Sequence, residues 1–414
     1  MNFTEKEYEA RINDLFERHP SVAGAGFTPG AYKPGLAGME GLDGRLGHPW
    51  KDYKCIHVAG TNGKGSVCSM LAAALSAEGA RVGLYTSPHI LDFRERMKIV
   101  SSGGFEMISR EEVWEFLENV SLDGLSFFEI TTGMALWWFA RRGVDAAVIE
   151  VGLGGRLDST NIITPALSVV TSIGLDHCAL LGDTRGKIAY EKAGIFKRGI
   201  PAVVWGRDDE TGPVFERIAL EKGTALTYAD GCFPGEDVLL ERMDLRGPCQ
   251  KTNLRTALCA LRVLGEDPSP ARMDAIARTA ATTGFHGRWE RIGNDPETIC
   301  DIGHNPQALA VNFARLRDMG RPLSIVFGIM ADKDLDGIAP LFPEGARCYL
   351  AAPHTARALP ADELLGRIRS LRPDLDSRAF PSVAAALQAA RSEAVPGALV
   401  YVGGSNYVVS EISC

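Results

Sequence analysis

The residues with the clearest chemical capacity form a glycine-rich segment near position 60. Residues 60–66 read Gly-Thr-Asn-Gly-Lys-Gly-Ser and follow a short apolar run at 55–59, and residues 67–77 place apolar side chains at helical spacing. In such a strand–turn–helix unit, glycines let backbone N–H groups approach phosphate oxygens, and the helix N-terminus attracts anions. A lysine adds a point charge, and a serine can bind magnesium. The segment therefore predicts binding of ATP or GTP. The residues predicted to contact the nucleotide are Gly60, Thr61, Asn62, Gly63, Lys64, Gly65 and Ser66.

The spacing within this segment departs from the common phosphate loop. There, Ser or Thr directly follows the lysine, whereas here Gly65 lies between Lys64 and Ser66. The alternative interpretation is a glycine-rich turn that binds nothing. The strand before the loop and the helix after it favour a phosphate site.

Polar residues also follow three other strand-like runs. Ser87, Glu150 and His177 each lie at or just past the end of such a run. Because open parallel sheets bind ligands at the carboxyl ends of their strands, these residues and Ser66 are candidates to bind magnesium beside nucleotide phosphates. A lone histidine after a strand is more often structural. A carboxylate at the end of an apolar strand, in contrast, requires a cation or hydrogen-bond donors.

Strand-sized apolar runs alternate with helical patterns along most of the chain. This alternation predicts an α/β fold, with an N-terminal P-loop domain built on a doubly wound, mostly parallel sheet and a smaller C-terminal Rossmann-like α/β domain. The predicted boundaries are 1–285 for the first domain, 286–296 for a hinge and 297–414 for the second domain. Residues 24–47 are rich in glycine and lack periodicity, so they are predicted to form a long loop.

Composition excludes several classes of protein. The chain has 414 residues, of which 45% are apolar, and this is enough to bury large cores. The formal net charge of −8 argues against a nucleic-acid partner, and no apolar stretch approaches the length of a membrane span. The first ten residues are polar and acidic, unlike a signal peptide. Nine cysteines without a Cys-x-x-Cys pair favour reduced thiols, and therefore a cytoplasmic enzyme.

Further motifs give the chain a resemblance to a known family. In order, they resemble those of the folylpolyglutamate synthase/dihydrofolate synthase family, part of the wider Mur-ligase group that forms amide bonds with ATP. One departure is Ile302-Gly303, where two small residues are usual in the family. The motifs that carry the resemblance are 59–66, 86–89, 150–158, 174–177, 191–195, Gln250, Asn253, 287–290, 301–306, 332–334 and Gly404-Ser405.

The resemblance implies a two-step reaction. ATP would phosphorylate a substrate carboxylate, and the amine of L-glutamate would attack the resulting acyl phosphate, with two magnesium ions neutralising the converging negative charges. The implied catalytic residues are Lys64, Lys192 and His177. The implied metal positions are Ser66, Ser87, Glu150, His177 and Lys192.

The resemblance gives Lys192 a special role. At the matching position the family carries a lysine carbamylated by carbon dioxide, and this modification turns a cation into an anion that can bind the second magnesium ion. It requires a lysine with a depressed pKa in a partly buried place. The alternative is a solvated lysine that interacts with the C-terminus of its helix.

Other site residues are also implied by the resemblance. Asn253, Arg288, Asp301 and His304 match positions that contact or line the ATP site, although Arg288 can equally form a salt bridge within the hinge. Phe27 and Tyr32 are candidates to stack on a pterin, or they anchor their loop to the core. The remaining candidates for substrate binding are Gly154, Gly155 and Arg156.

The sequence thus predicts a monomeric ATP-dependent ligase that adds L-glutamate to dihydropteroate, to tetrahydrofolate or to both, with activity on both favoured. Two alternatives of another class are a P-loop phosphotransferase or NTPase and a non-catalytic nucleotide-binding module. The phosphotransferase or NTPase does not explain the second domain and its motif at 301–306. The non-catalytic module would need only the loop, so the presence of His177 and Lys192 argues against it. A Mur-type ligase with a different acceptor is a further alternative.

Overall fold

The computed structural model describes residues 3–19, 33–231, 233, 235–267 and 269–412. The chain forms two compact units. The first comprises Met1–Asp244 and Gln250–Phe285, and the second comprises Leu245–Cys249 and His286–Cys414. Each unit is built on one mainly parallel sheet. The predicted α/β fold class, with a larger and a smaller sheet, is confirmed.

An eight-stranded sheet forms the centre of the first unit. Its strands are β1 Lys54–Ala59, β2 Val82–Tyr85, β3 Met97–Ser101, β4 Gly104–Met107, β5 Ala146–Glu150, β6 Leu167–Val170, β7 Ala202–Val204 and β8 Leu226–Tyr228. The order across the sheet is β4-β3-β2-β5-β1-β6-β7-β8. Across the sheet, the strands β2, β5, β1, β6, β7 and β8 pair in parallel with their neighbours in this order. In contrast, β3 pairs antiparallel with both β2 and β4. The sheet is therefore mostly parallel, as predicted.

Helices cover this sheet, and the one that follows the glycine-rich segment is central. Lys64–Ser76 contacts β1, β2, β3 and β5, and it is itself covered by three later helices. It is almost entirely buried, consistent with its apolar composition. The α-helices of this unit are Glu5–Arg18, Ala37–Leu46, Lys64–Ser76, Arg110–Asn119, Phe127–Arg141, Cys178–Leu181, Arg185–Ala193, Gly212–Lys222, Glu236–Arg242, Gln250–Val263, Pro270–Ala277 and Thr279–Thr283, with 3-10 turns at Pro49–Asp52, Phe93–Arg96 and Ser159–Ile162.

The prediction of a long loop over 24–47 is wrong for Ala37–Leu46, which forms a helix. Its glycines allow close packing, since a side chain at Gly38 would collide with a carboxylate of the facing helix. On that facing helix, Gly133 leaves the space that Leu42 fills. Tertiary packing thus outweighs the low helix propensity of glycine, which is why periodicity did not reveal this helix.

A six-stranded sheet forms the centre of the second unit. Its strands are β9 Glu290–Asn294, β10 Glu297–Asp301, β11 Leu323–Phe327, β12 Arg347–Ala351, β13 Asp376–Phe380 and β14 Leu399–Gly403, in the order β13-β12-β11-β14-β10-β9. Only β9 pairs antiparallel, and it lies within the segment 286–296 that is predicted to be a hinge. The helices are Pro306–Asp318, Leu335–Ile338, Ala361–Leu371, Val383–Ser392 and Asn406–Ser410, with a 3-10 turn at Ala339–Leu341. Among the described residues of the whole chain, no helix combines the length and apolarity needed to cross a membrane.

Candidate active site

Four adjacent strands of the first unit bring the candidate residues to one edge of the sheet. β2, β5, β1 and β6 are neighbours and run parallel, so their carboxyl ends lie side by side. Segment 60–66 follows β1, Ser87 follows β2, Glu150 ends β5 and Thr171 follows β6. Residues that are more than one hundred positions apart in sequence therefore meet at this edge.

The glycines of segment 60–66, called the phosphate loop below, are required by close packing. Gly60 and Gly63 have positive φ angles of 149° and 90°. A Cβ at Gly60 would collide with the hydroxyl of Thr171, and one at Gly63 would collide with the amide of Asn253. The backbone of the loop is thus closely surrounded on this side, and its helix begins at Lys64, three residues earlier than the sequence pattern predicts. This is the arrangement that places N–H groups and a helix N-terminus toward an anion.

Thr171 and Ser172 fix the loop, although sequence reasoning gave them no role. The Thr61 N–H donates to the Ser172 carbonyl at 2.7 Å, and the Thr171 hydroxyl donates to the Asn62 carbonyl at 2.7 Å. The Thr61 hydroxyl in turn donates to the Gly174 carbonyl at 3.0 Å. The available signal was the pair of polar residues directly after the apolar strand β6.

The ammonium of Lys64 lies over its own loop. It donates to the carbonyl oxygens of Gly60 and Thr61, both at 3.2 Å, and the side chain is half-buried. A cation in this position can neutralise charge on a transferring phosphoryl group without first being ordered.

Glu150 and Ser66 are the oxygen-bearing candidates at the phosphate loop. Both are buried, and the Ser87 N–H donates to Glu150 Oε2 at 3.0 Å. A Cβ at Gly65 would lie 3.4 Å from that same oxygen, so the carboxylate lies directly against the loop. Within the described ranges, no three His, Cys, Asp or Glu side chains cluster as a metal site. A hydroxyl and a carboxylate instead fit magnesium that takes its other ligands from phosphates and water.

Lys192 is buried, with 4% of its surface exposed, on the helix Arg185–Ala193. Its ammonium donates to the Gly60 carbonyl at 2.8 Å. Burial, and next the positive charge of Lys64, lower the pKa of Lys192 to about 7, and Asp176 opposes this effect. The interpretation as a solvated lysine is therefore wrong. A large fraction of neutral amine at neutral pH is the property that reaction with carbon dioxide requires.

His177 lies at the start of the short helix Cys178–Leu181. Its φ of 52° is in the left-handed region, and its N–H donates to Asp176 Oδ1 at 2.9 Å. The ring is partly exposed, with Nε2 at 3.9 Å from the same oxygen. His177 thus accompanies Asp176, whose charge acts on Lys192.

The glycine segment 152–155 packs on the end of the helix that carries Lys192. A Cβ at Gly155 would lie 2.8 Å from the Glu191 carbonyl, and Gly154 has a φ of 69°. Arg156 forms a salt bridge with Glu191 at 2.9 Å and lies over the Tyr190 ring at 5.7 Å. Substrate binding by Gly154, Gly155 and Arg156 stays a prediction. Phe27 and Tyr32, the predicted pterin contacts, lie outside the described residues.

Asp158 stabilises this glycine segment through hydrogen bonds. It accepts from the Leu153 N–H at 2.8 Å and from the N–H and hydroxyl of Thr160, and burial raises its pKa. The Thr160 hydroxyl also bonds Nε2 of the fully buried His57 at 2.8 Å. The aspartate that closes the sequence motif therefore fixes the backbone of that motif.

In the second unit, Asp301 organises the backbone around Arg288. Its carboxylate accepts from the Trp289 N–H at 3.0 Å, the Gly303 N–H at 2.8 Å and the Asn312 amide at 2.8 Å. Trp289 is buried with a φ of 51°. Asp301 therefore has a clear structural role, and its predicted contact with ATP stays a prediction.

Three further residues were predicted to contact ATP. Asn253 is buried in the first unit, and its amide lies against Gly63, close to the phosphate loop. In the second unit, Arg288 donates to the Gly287 carbonyl at 3.1 Å, and His304 Nδ1 bonds the Ile302 carbonyl at 3.0 Å. The structure thus places Asn253 beside the loop, while the roles of Arg288 and His304 stay predictions.

Comparisons with known proteins agree with this geometry. Residues 58–233 match the Mur ligase middle domain, and residues 287–406 match the glutamate ligase domain of Mur ligases. The dihydrofolate synthase/folylpolyglutamate synthase of Escherichia coli is 35% identical over 86% of this chain and 85% of its own length. A probable bifunctional folylpolyglutamate synthase/dihydropteroate synthase of Haloferax volcanii is 34% identical over 98% of this chain, which spans only 50% of that relative.

The chain belongs to the folylpolyglutamate synthase/dihydrofolate synthase family. The predicted folate-type, ATP-dependent ligase is thereby confirmed, and the P-loop phosphotransferase alternative is not favoured. Solved structures of this family cover nearly the whole chain. E. coli FolC in complex with DHPP and ADP has a TM-score of 0.82 at 30% identity, covering 98% of this chain and 96% of that one. The Yersinia pestis bifunctional enzyme with AMPPNP and a Mn ion has a TM-score of 0.81 at 30% identity, covering 98% and 97%.

We expect Glu150→Gln and His177→Ala each to raise the magnesium concentration needed for half-maximal activity. Glutamine preserves the shape of Glu150 but removes the charge that favours a cation. The expected increase is on the order of tenfold, a change that even residues outside the metal's direct ligands can produce. A magnesium titration of kcat/KM measures it.

Glu129→Gln is the matched control for Glu150→Gln. Glu129 is equally buried, but it caps the helix Phe127–Arg141 and accepts from Ser126. This variant should lower stability and leave the magnesium titration unchanged. If Glu150→Gln and His177→Ala both titrate like the wild type, their assignment to the metal site is wrong.

Proposed function

We propose that this chain catalyses the ATP-dependent addition of L-glutamate to the carboxylate of both dihydropteroate and tetrahydrofolate. The γ-phosphoryl group of ATP passes to the acceptor carboxylate, which gives ADP and an acyl phosphate. The glutamate amine then attacks the acyl carbon and loses a proton, and inorganic phosphate leaves.

The observation that carries this proposal is the hydrogen bond from buried Lys192 to the Gly60 carbonyl of the phosphate loop. A simple P-loop phosphotransferase has no need of a second lysine with a lowered pKa behind its loop. A ligase that must bring a carboxylate to a triphosphate needs divalent cations there, because the two anions repel each other, and a buried lysine with a lowered pKa can be converted into an anion that binds such a cation.

The residues of the site divide these tasks. The loop backbone and Lys64 bind the phosphates, and Asn253 supports the loop at Gly63. Ser66 and Glu150, with Ser87 and His177, would hold two magnesium ions, which neutralise the phosphate and carboxylate charges when bound. Arg288, Asp301 and His304 are proposed to contribute to ATP binding.

Lys192 is proposed to be carbamylated and to contribute to the second metal position. The carbamate nitrogen keeps one hydrogen, so the bond to the Gly60 carbonyl can persist. Its negative charge would convert the repulsion from Lys64 into attraction. Both features favour the modified lysine in this place.

The breadth of acceptors is supported by the names of relatives. The E. coli relative is named for both activities, whereas a Lacticaseibacillus casei relative of the same 35% identity is named folylpolyglutamate synthase alone. Both reactions need the same nucleotide, metals and glutamate, and they differ in the position of the acceptor carboxylate. Phe27, Tyr32, Gly154, Gly155 and Arg156 are proposed to accommodate the acceptor. The monomeric state and cytoplasmic location stay predictions.

We expect the purified chain to release ADP only when an acceptor and L-glutamate are both present. The assay supplies ATP and magnesium, compares dihydropteroate with tetrahydrofolate, and identifies the glutamylated products by mass spectrometry. Product from both acceptors supports the proposal. Product from one acceptor alone contradicts activity on both, and ATP turnover without glutamate would restore the NTPase alternative.

A further inference from the structure

The short helix Thr279–Thr283 of the first unit is bonded at both ends by charged side chains. At its N-terminus, the Asp244 carboxylate accepts from the N–H groups of Ala280 and Ala281, both at 2.9 Å. At its C-terminus, Lys98 of β3 donates to the carbonyls of Thr283 and Gly284 at 2.9 and 2.7 Å. A negative group at the N-terminus and a positive group at the C-terminus both suit the helix dipole.

The helix Thr279–Thr283 lies close to the points where both segments of the first unit end. Asp244 is the last residue of one segment of the first unit, and Phe285 is the last residue of the other. Both places where the chain leaves the first unit are therefore attached to the same helix. The helix also contacts β3, β4 and the helix Lys64–Ser76, which begins at the phosphate loop.

Lys98 is buried for this contact. It is 3% exposed, and its ammonium lies 5.1 Å from the centre of the Phe105 ring. Burial lowers its pKa to about 8, and Glu95 opposes this effect. Gly284 has a φ of 60°, and a side chain there would collide with Phe105, so a glycine is needed where the backbone passes this ring. Burying a charge in this way is unfavourable unless its hydrogen bonds are well made.

The residue directly after Gly284 reaches the phosphate loop. The Phe285 ring lies so close to Gly65 that an added Cβ would be 2.9 Å from the ring. On the same glycine, the Glu150 carboxylate lies 3.4 Å from that Cβ position. Phe285 therefore packs at the point where the loop meets the candidate metal site.

We propose that Lys98 is a positioning residue for nucleotide binding: it fixes Gly284 and so holds Phe285 against Gly65 of the phosphate loop. Lys98 touches neither nucleotide nor metal in this proposal, which rests on the proposed binding of ATP. Lys98 acts indirectly: it bonds the Gly284 carbonyl, and the ring of the next residue, Phe285, limits the positions that Gly65 can take.

The test measures the affinity of magnesium–ADP by calorimetry in Lys98→Met, Lys98→Arg, Phe285→Leu and the double variant Lys98→Met/Phe285→Leu. Lys98→Met should weaken binding by about tenfold, on the order of the effect of losing a hydrogen bond to a charged group. Phe285→Leu should weaken binding to a similar extent, because the smaller side chain no longer packs on Gly65 in the same way. Lys98→Arg can still donate to both carbonyls and should bind more tightly than Lys98→Met. The double variant should be little worse than either single variant, because both disrupt one arrangement.

Arg272→Met is the control for a general loss of helix anchoring. Arg272 lies on the neighbouring helix Pro270–Ala277. It donates to the Asp267 carbonyl at 2.8 Å and forms a salt bridge with Glu78. Arg272→Met should lower the melting temperature without changing the affinity for magnesium–ADP. In the Lys98 variants, the affinity for tetrahydrofolate should change less than the affinity for magnesium–ADP.

The outcomes separate the two proposals. If the wild type fails to bind magnesium–ADP, the proposed function is wrong, and this inference falls with it. If the wild type binds magnesium–ADP but Lys98→Met or Phe285→Leu binds it as tightly as the wild type, or if the two losses add up in the double variant, only the positioning role is wrong. Should Lys98→Met fail to fold, Phe285→Leu and Lys98→Arg still decide the question.

Discussion

The variant Lys64→Ala is expected to lose at least about two orders of magnitude in kcat, as occurs when one preorganised group that stabilises a transition-state charge is removed. The fold should remain intact, because the ammonium bonds only two carbonyls of its own loop. Steady-state kinetics with saturating ATP, and a thermal melt of the same preparation, measure the two effects separately.

Lys54→Ala is the control for this experiment. Lys54 is an exposed lysine at the start of β1, on the strand that leads into the loop. It should retain wild-type activity. Activity of Lys64→Ala within a few-fold of the wild type would show that the loop does not bind the transferring phosphate.

The second large effect is expected for Lys192. Lys192→Ala should be inactive with either acceptor, because it removes both the proposed anion at the metal site and the bond to Gly60. A direct readout is available: the wild type incubated with carbon-13-labelled bicarbonate should show a carbamate signal by NMR, and the variant should lack it.

The pKa of Lys192 predicts how this signal depends on pH. Only the neutral amine reacts with carbon dioxide. With a pKa of about 7, half of the Lys192 side chains are neutral at pH 7. At fixed dissolved carbon dioxide, carbamylation should therefore increase as pH rises through 7. Lys64→Ala removes a positive charge that lowers this pKa, so it should move the increase to higher pH.

The same pKa makes a prediction about stability. The folded-state value of about 7 lies below the ordinary 10.5, so the unfolded chain binds more protons between these values. Without carbon dioxide, the cost of burying Lys192 is fully present below pH 7 and is lost as pH rises toward 10.5. Lys192→Met should therefore stabilise the fold more at pH 6 than at pH 10, as measured by denaturant unfolding.

Lys197 provides the matched control for Lys192. Burial also lowers its pKa, to about 8, but its ammonium donates to the Asn161 carbonyl at 2.8 Å instead of to a carbonyl of the phosphate loop. Lys197→Ala should keep the carbamate signal and most of the activity. An active wild type without any carbamate signal would overturn the modification, and an active Lys192→Ala would overturn the catalytic role.

Sequence alone was sufficient for the features that depend on near neighbours along the chain. The phosphate loop was recognisable because a strand, glycines, a lysine and a helix follow one another within about 20 residues. Glu150 was recognisable because a carboxylate ends a run of apolar residues. The order of motifs along the chain identified the family, and alternating periodicities identified the α/β class.

Packing decided the rest. The glycines of the helix Ala37–Leu46 lower its helix propensity, but they also let it pack closely against a neighbouring helix. This packing cannot be predicted from the periodicity of the sequence. Thr171 and Ser172 gained a role only when β6 was placed beside β1. Lys98 gained one only when its strand met the end of a distant helix.

Lys192 shows the physical reason most clearly. Its neighbours in sequence are those of an ordinary lysine near a helix end, and on that basis it would be charged and solvated. Its partner, the Gly60 carbonyl, is 132 positions away, and Lys64 lies on the same distant loop. The pKa of a side chain depends on the water it loses and the charges it meets, and both are determined by contacts that only the folded chain creates.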